Sequence, residues 1–324
     1  MGSLYKIGAL IFGIFLCGGS AFSQADWPTR PITIVVPFPV GGQTDVVARI
    51  IADKISKELG QSIIVDNKPG VNGSLGSELV ARANPDGYTL VAAGPGSHGI
   101  NQLVNPNVKY DARKDFTNIA SIAKTSLVLL ASPSFKGGSV KDLVNYAKAH
   151  PGELSFATTG IGSSGFMSMN LLKQAAGIDF TMIPYKGDAP AITDMMGGQV
   201  NLLFINSAAA VPQVNSGKLR ALAVTGKSRN PSLPEVPTMI QSGYPSVVVE
   251  SWVGISGPAK IPDAIVTKLN KAVNNVLATT EVKGRLFALG MVPAPGTPAE
   301  YQNYMSDEVA KWSAVVKAGN IRAE

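Results

Sequence analysis

Residues 32–38 (ITIVVPF) form an apolar, β-branched run that gives way to Pro39 and the pair Gly41-Gly42. A strand buried on both faces of a parallel sheet reads this way, whereas a strand with one wet face alternates. Directly after the glycines, Val46, Val47, Ile50, Ile51, Ile55 and Leu59 recur at helical spacing. Gln43 or Thr44 can cap that helix, Asp45 suits its first turn, and Gly60 stops it. One strand, one glycine-rich turn and one helix make a βα unit, and a chain that repeats it must cover a parallel sheet with helices.

The unit recurs. Strands at 63–65 and 88–93 flank a helix near 74–83 and complete a βαβαβ arrangement. Residues 119–131 (IASIAKTSLVLLA) outrun an ordinary strand and fit either two strands or one long strand crossing into a second domain. A second series follows, with strands at 154–158, 180–184, 202–205 and 219–224 separated by helices at 167–176, 189–196 and from 208. A proline-punctuated stretch (Pro231, Pro234, Pro237, Pro245) leads to a strand at 247–255, then helices at 262–278 and 298–317. The expected fold is α/β, with residues 24–124 and 226–324 as domain 1 and 125–225 as domain 2. Two connections between domains make a hinge, and a cleft between hinged domains suits a small ligand.

Lys6, the apolar stretch 7–15 and Ala21-Phe22-Ser23 read as an export signal over residues 1–23, cleaved after Ser23. The apolar run ends at Gly18-Gly19-Ser20, short of the roughly 20 residues of a spanning helix. Leu16 makes a poor context for lipid on Cys17. Cys17 is the one cysteine in the sequence, so the mature chain is expected to hold no disulfide and no thiolate metal site. The formal charge of +6 becomes +5 without Lys6, and with no basic cluster a nucleic-acid role is not expected. With 45% hydrophobic residues the chain can bury a large core.

Two loops carry chemistry. In PFPVGGQTD, Phe38, Val40, Gly41, Gly42, Gln43, Thr44 and Asp45 join a buried strand to a helix N-terminus, where free N–H groups and the helix dipole favour an anion. A tight βα turn needs the same glycines, so this motif alone leaves both readings open. In TTGIGSSG, Thr158, Thr159, Gly160, Gly162, Ser163 and Ser164 repeat the arrangement with hydroxyls added. Two such loops at strand C-termini, one per domain, would face each other and hold a carboxylate. Gly160, Gly162 and Gly165 also spell GxGxxG, with Asp179 further on, but that acid opens a strand where a dinucleotide fold has it end one. Tyr185 and Asn206, at two further strand-to-helix junctions, and Ser97, beside His98, are additional candidate ligand contacts.

Catalysis is thinly supplied. His98 and His150 are the two histidines, neither joins a triad or a metal set, and no nucleophile elbow or zinc-helix motif occurs. No catalytic residue, metal or cofactor is expected.

The stretches WPTRPITIVVPFPVGGQTD, VDNKPGVNGSLGSELVARANPDGYTL, IPYKGDAPAITDMMGGQV, GKLRALAVTGKSRNPSLPEVPT and SWVGISGPAKIP, in this order, resemble the tripartite tricarboxylate transporter receptor family, the periplasmic Bug-type binding proteins. The resemblance covers nearly all of the mature chain. It implies a two-domain clamshell of the type II periplasmic binding class that takes a di-, tri- or aromatic carboxylate and delivers it to membrane permease subunits. A monomer is expected. It also implies that loops 38–45 and 158–164 hold one ligand carboxylate. Val40, Gly165-Phe166 and Ile205 depart from the family pattern, which suggests a less polar specificity end. A ligand-sensing receptor for a membrane signalling partner, or an exported enzyme acting on a carboxylated metabolite, are the alternatives to a transport role.

Overall fold

The structure is a computed structural model that describes residues 27–323. The expected leader and Cys17 lie outside the described residues. The apolar run becomes β1 (Ile32–Val36), followed by α1 (Gln43–Leu59) and β2 (Ile63–Asn67). Next come α2 (Ser74–Ala81), β3 (Thr89–Ala93) and the short α3 (Asn101–Val104). Strand β1 lies between β2 and β3 and parallel to both, with Ile34 opposite Val65 on one side and Leu90 on the other. Ile32, Ile34 and Val36 are sealed beneath Val47, Ile51 and Ile55 of α1. Each such fully buried side chain contributes about 1.5–3 kcal/mol.

The run that outgrew an ordinary strand is one strand, β4 (Phe116–Ala131), of 16 residues. Past it lie α4 (Val140–Ala149), β5 (Ser155–Thr158), α5 (Ser164–Ala176), β6 (Thr181–Pro184), α6 (Asp188–Met196), β7 (Leu202–Asn206), α7 (Ser207–Asn215) and β8 (Arg220–Val224). The chain returns through β9 (Glu250–Pro258) and ends with α8 (Asp263–Ala278), α9 (Thr280–Ala288), β10 (Val292–Pro293) and α10 (Pro298–Ala318). The strands run in the order β2-β1-β3-β9-β4-β7-β5-β6, with β8 and β10 also on β4.

Strand β4 belongs to both halves of this two-domain clamshell. Residues 116–126 pair with β9, and residues 127–131 pair with β7 and β8. Beyond Ser126 its alternate residues serve two cores: Leu127 and Leu129 enter one with Phe156, Leu172 and Phe204, while Val128 and Leu130 enter another with Met195, Leu203 and Ile205. Thr225 ties this crossing to the returning one, because Leu127 N–H donates to Thr225 Oγ1 (2.9 Å) and Thr225 Oγ1 donates to Val249 O (2.5 Å).

The packing departs from the sequence-based division in two places. Residues 226–249 were expected with the first half, yet Leu233, Met239, Val247 and Val249 are buried in the cores built on β4, β5 and β7. Helix α10 also spans both halves, with Tyr301 and Met305 against Ala93 and Trp252, and Trp312 in the core of Phe156 and Phe204.

Candidate functional site

The C-terminal ends of β1 and β3 lie side by side in one half and those of β5 and β7 in the other, with Asn206 at the end of β7 opposite Leu127 of β4. From the first half come the loop after β1, the turn before α2 and the wide π-helical turn Pro95–Ile100 after β3. From the second come the loop after β5 and the start of α7 after β7, where Ser207 lies against Gly290. The two halves meet there: a Cβ placed on Gly162 would lie 3.1 Å from Asn72 Nδ2, 3.3 Å from Val104 and 3.6 Å from Ile100.

In the first loop, Gly41 has φ +81, where a side chain is disfavoured, whereas Gly42 (φ −70, ψ 162) is ordinary extended backbone. Close approach of main chain to a ligand therefore depends on Gly41 more than on Gly42. The expected donors also shift. Gly41 N–H donates to Asp45 Oδ2 (2.9 Å) and Gly42 N–H to Pro39 O (3.2 Å), so both are committed within the loop. No side chain caps α1, which leaves the first-turn N–H groups of Gln43 and Thr44 to meet an anion.

Asp45 faces inward, 2% exposed. Its carboxylate also accepts from Asn67 Nδ2 (2.9 Å) and Arg49 Nε (3.0 Å). Burial alone would raise its pKa, but the bonds from Arg49, Gly41 and Asn67 outweigh it and hold the carboxyl below the usual range. Asp45 thus orders the loop. Phe38 is half-buried and packs over Gly73 and towards Gly94, where Thr44 Oγ1 also points. Val40 is 71% exposed at the loop tip.

The second loop spends its hydroxyls in the same way. Ser163 Oγ caps α5 by accepting from Phe166 N–H (3.2 Å), and Thr158 Oγ1 accepts from Gly160 N–H (3.2 Å). Ser163 N–H donates to Gly160 O (3.1 Å). These groups, expected on the ligand, also shape the loop; Ser163 Oγ accepts from Phe166 and keeps its own hydrogen to donate. Thr159 and Ser164 carry the hydroxyls of this loop that make no hydrogen bond within the protein among the described residues.

Ser97 is fully buried. Its Oγ accepts from Gly94 N–H (3.2 Å) and lies 3.0 Å from His98 Nδ1. His98 does not reach the cleft. It is enclosed against Phe116 (centroids 4.4 Å) and Tyr110 (6.3 Å), and burial pushes its imidazole down to about 3. Tyr185 donates its hydroxyl to Asp194 Oδ2 (2.9 Å), and its backbone N–H donates to Thr158 O (2.8 Å). Asn206 begins α7 half-buried, and its Oδ1 is covered without a donor.

The family departures have structural explanations. Gly165 lies so close to Phe204 O that a Cβ would overlap it, Phe166 is buried near Phe156, and Ile205 is 3% exposed in a core. None of the three needs to face the cleft, so the expectation that Phe166 and Ile205 make its specificity end less polar is not supported.

Sequence reasoning missed the turn before α2. Gly70, Val71, Asn72 and Gly73 have φ of 144, 47, 50 and 89, a run of unusual backbone at the point where the halves meet. Asn101 Nδ2 holds it through Val71 O (2.6 Å). The Pro69-Gly70 and Asn72-Gly73 dipeptides were the available signal. Among the described residues no group of three or more His, Cys, Asp and Glu side chains could hold a metal, and no helix is long and apolar enough to cross a membrane.

Two α/β halves bridged by β4, by the return into β9 and by α10, with strand-to-helix loops meeting between them, match a solute-binding protein of the periplasmic binding class. Residues 47–321 match the model of the tripartite tricarboxylate transporter family receptor, and the chain belongs to that family of substrate-binding receptors. BugT of Bordetella pertussis is 35% identical over 95% of both chains. The structure is similar to Rpa4515 of R. palustris, solved with adipate (TM-score 0.85, 38% identity, 92% of this chain and 99% of that one). It is also similar to MatC from Rhodopseudomonas palustris, solved with bound malate (TM-score 0.82, 35% identity, 90% of this chain and 100% of that one).

Proposed function

We propose that this receptor works in the periplasm, closes on a small carboxylate at the cleft, and delivers it to the membrane permease subunits of a tripartite tricarboxylate transporter. The carrying observation is the uncapped first turn of α1 at the place where Gly162 of the other half meets Asn72. The grip consists of the Gln43 and Thr44 N–H groups on one side and the Thr159 to Ser164 loop on the other, framed by Phe38, Gly41 and Asn72. Main chain can hold the carboxylate here without arginine, since neither loop contains Arg or Lys. Adipate and malate in the similar structures support the ligand class. The two hinge strands are β4 near Ser126 and β9 near Glu250, which moves the second domain boundary from 225/226 to about the start of β9.

A thermal-shift screen of mono-, di- and tricarboxylates, followed by calorimetry of the best binder against its methyl ester, tests the grip. Hydrogen bonds to a charged group are worth about 1.5–3 kcal/mol each, so the ester should bind at least about tenfold more weakly. Equal affinity for acid and ester would remove the anion site from this position. Uptake into vesicles carrying a permease of this transporter type, with and without the receptor, tests delivery.

A further inference from the structure

The three first-half segments at the junction are packed directly on one another. A Cβ on Gly73 would meet Phe38 Cζ and Ser97 Cβ, each at 2.9 Å, and one on Gly96 would lie 2.9 Å from Asn72 Oδ1. One on Gly94 would lie 3.7 Å from Phe38 and 3.9 Å from Thr44 Oγ1. The loop after β1, the turn 70–74 and the segment 95–104 are therefore close-packed neighbours, and a shift in one is felt by the others. The last two also carry the contact with the other half, through Asn72, Ile100 and Val104 against Gly162.

A chain of buried hydrogen bonds ties those two segments together. Asn101 Nδ2 donates to Val71 O (2.6 Å) and to Ser74 Oγ. Ser74 Oγ lies 3.4 Å from the hydroxyl of Tyr110, which gives its one hydrogen to Ser97 O. Ser97 in turn accepts from Gly94 N–H through its Oγ (3.2 Å). Asn101, Ser74, Tyr110 and Ser97 are all buried, so the chain forms away from water, where linked donors and acceptors strengthen one another. Tyr110 belongs to neither segment and precedes β4. Its ring stands edge-on to Phe116 (5.4 Å, 86°), and burial pushes its hydroxyl up to about 12, so it stays a donor at neutral pH.

We propose that Tyr110 is a positioning residue for closure: without touching the bound carboxylate, its hydroxyl locks the turn 70–74 to the segment 95–104, so that Asn72, Ile100 and Val104 present one rigid face to Gly162. This rests on the carboxylate-receptor reading above and names a residue outside the grip that sets its affinity. The ring packs against Phe116 with or without the hydroxyl, so removing the oxygen alone loosens the face and leaves the fold in place. A looser face weakens the closed state, which releases the carboxylate faster while the open state captures it at an unchanged rate.

The test is calorimetry and stopped-flow binding with the tightest binder among succinate, malate, glutarate, adipate, citrate and benzoate. Tyr110→Phe should stay folded by circular dichroism and bind at least about fivefold more weakly, with the loss in the dissociation rate. Asn101→Ala cuts the chain at its other end and should weaken binding at least as much. The double variant should bind within about twofold of Asn101→Ala alone, because both changes break one chain. Ile34→Val trims the core of the same half away from the chain, and should lower stability while leaving affinity within about twofold of wild type. Unchanged affinity in Tyr110→Phe, a loss confined to the association rate, or losses that multiply in the double variant would each overturn this inference and leave the receptor reading standing. An equal affinity loss in Ile34→Val would assign the effect to stability and overturn it too. Failure of wild type to bind any of the probes overturns both.

Discussion

Gly162 of the second half sits where any Cβ would come within 3.1 Å of Asn72 Nδ2 in the first. With φ +92 it also occupies backbone space that side chains disfavour. Gly162→Ala should therefore strain the loop by about 1–2 kcal/mol and hold the halves apart. The expected outcome is a folded protein by circular dichroism whose affinity for its best carboxylate falls at least tenfold. Its radius of gyration by small-angle scattering should no longer shrink on adding that carboxylate. Wild-type affinity in the variant would mean that closure does not bring these two residues together.

Asp45 carries a second prediction. Its carboxylate gathers Gly41, Asn67 and Arg49, so Asp45→Asn should destabilise the protein by about 2 kcal/mol at pH 7. The cost stays moderate because Arg49 is half-exposed and water can reach it. The folded pKa is below the unfolded one, so the stability Asp45 adds is complete above the unfolded value of 3.8 and is lost as pH falls through the folded value. Urea denaturation of both proteins at pH 7 and pH 3 should show a gap that narrows in acid. A constant gap would assign the effect to shape rather than charge.

The strand, glycine-turn and helix units were legible because burial on a sheet face leaves a period in the sequence, as in residues 32–59. Residues 119–131 were legible as too long for an ordinary strand, but whether they made two strands or one, and that the strand starts at Phe116, were not. The donors at the site were not. Whether Ser163 Oγ faces a ligand or caps α5, and whether Gly41 N–H is free or held by Asp45, depends on loop dihedrals that residue types alone do not fix. The turn at Asn72 was marked by its Pro-Gly and Asn-Gly dipeptides, but its place between the halves was not, because its support comes from Asn101, about 30 positions away, and local propensity carries no record of that. Which half the segment 226–249 packs against was not legible, because it has little regular structure and its few buried side chains show their packing partners only in three dimensions.

His98 gives a third prediction. Burial pushes its pKa down from 6.5 to about 3, so the folded protein excludes a proton that the unfolded chain accepts. The sign follows: its contribution is intact above pH 6.5 and falls by about 1 kcal/mol per pH unit as the solution is acidified towards 3. His98→Phe suits a pocket already walled by Phe116 and Tyr110, and it removes this proton linkage. Stability curves for the two proteins should diverge below pH 6.5, with the variant gaining relative to wild type. Parallel curves down to pH 4 would show that His98 protonates in place.

The last prediction concerns Gly165, in the first turn of the helix that carries the second loop. A Cβ there would overlap Phe204 O, and because that atom is backbone of β7, no rotamer change can make room. Gly165→Ala must push α5 away from β7, at an overpacking cost of about 1–3 kcal/mol. The displaced helix carries Thr159 to Ser164 with it, so affinity for the best carboxylate should fall together with stability. Gly284→Ala is the matched control: it lies within α9, a Cβ there meets nothing within 4 Å, and replacing a helical glycine by alanine should stabilise by about 0.5–1 kcal/mol. Urea denaturation of both variants, with calorimetry alongside, decides the point. A Gly165→Ala protein as stable as wild type would show that the contact between α5 and β7 is looser than this packing requires.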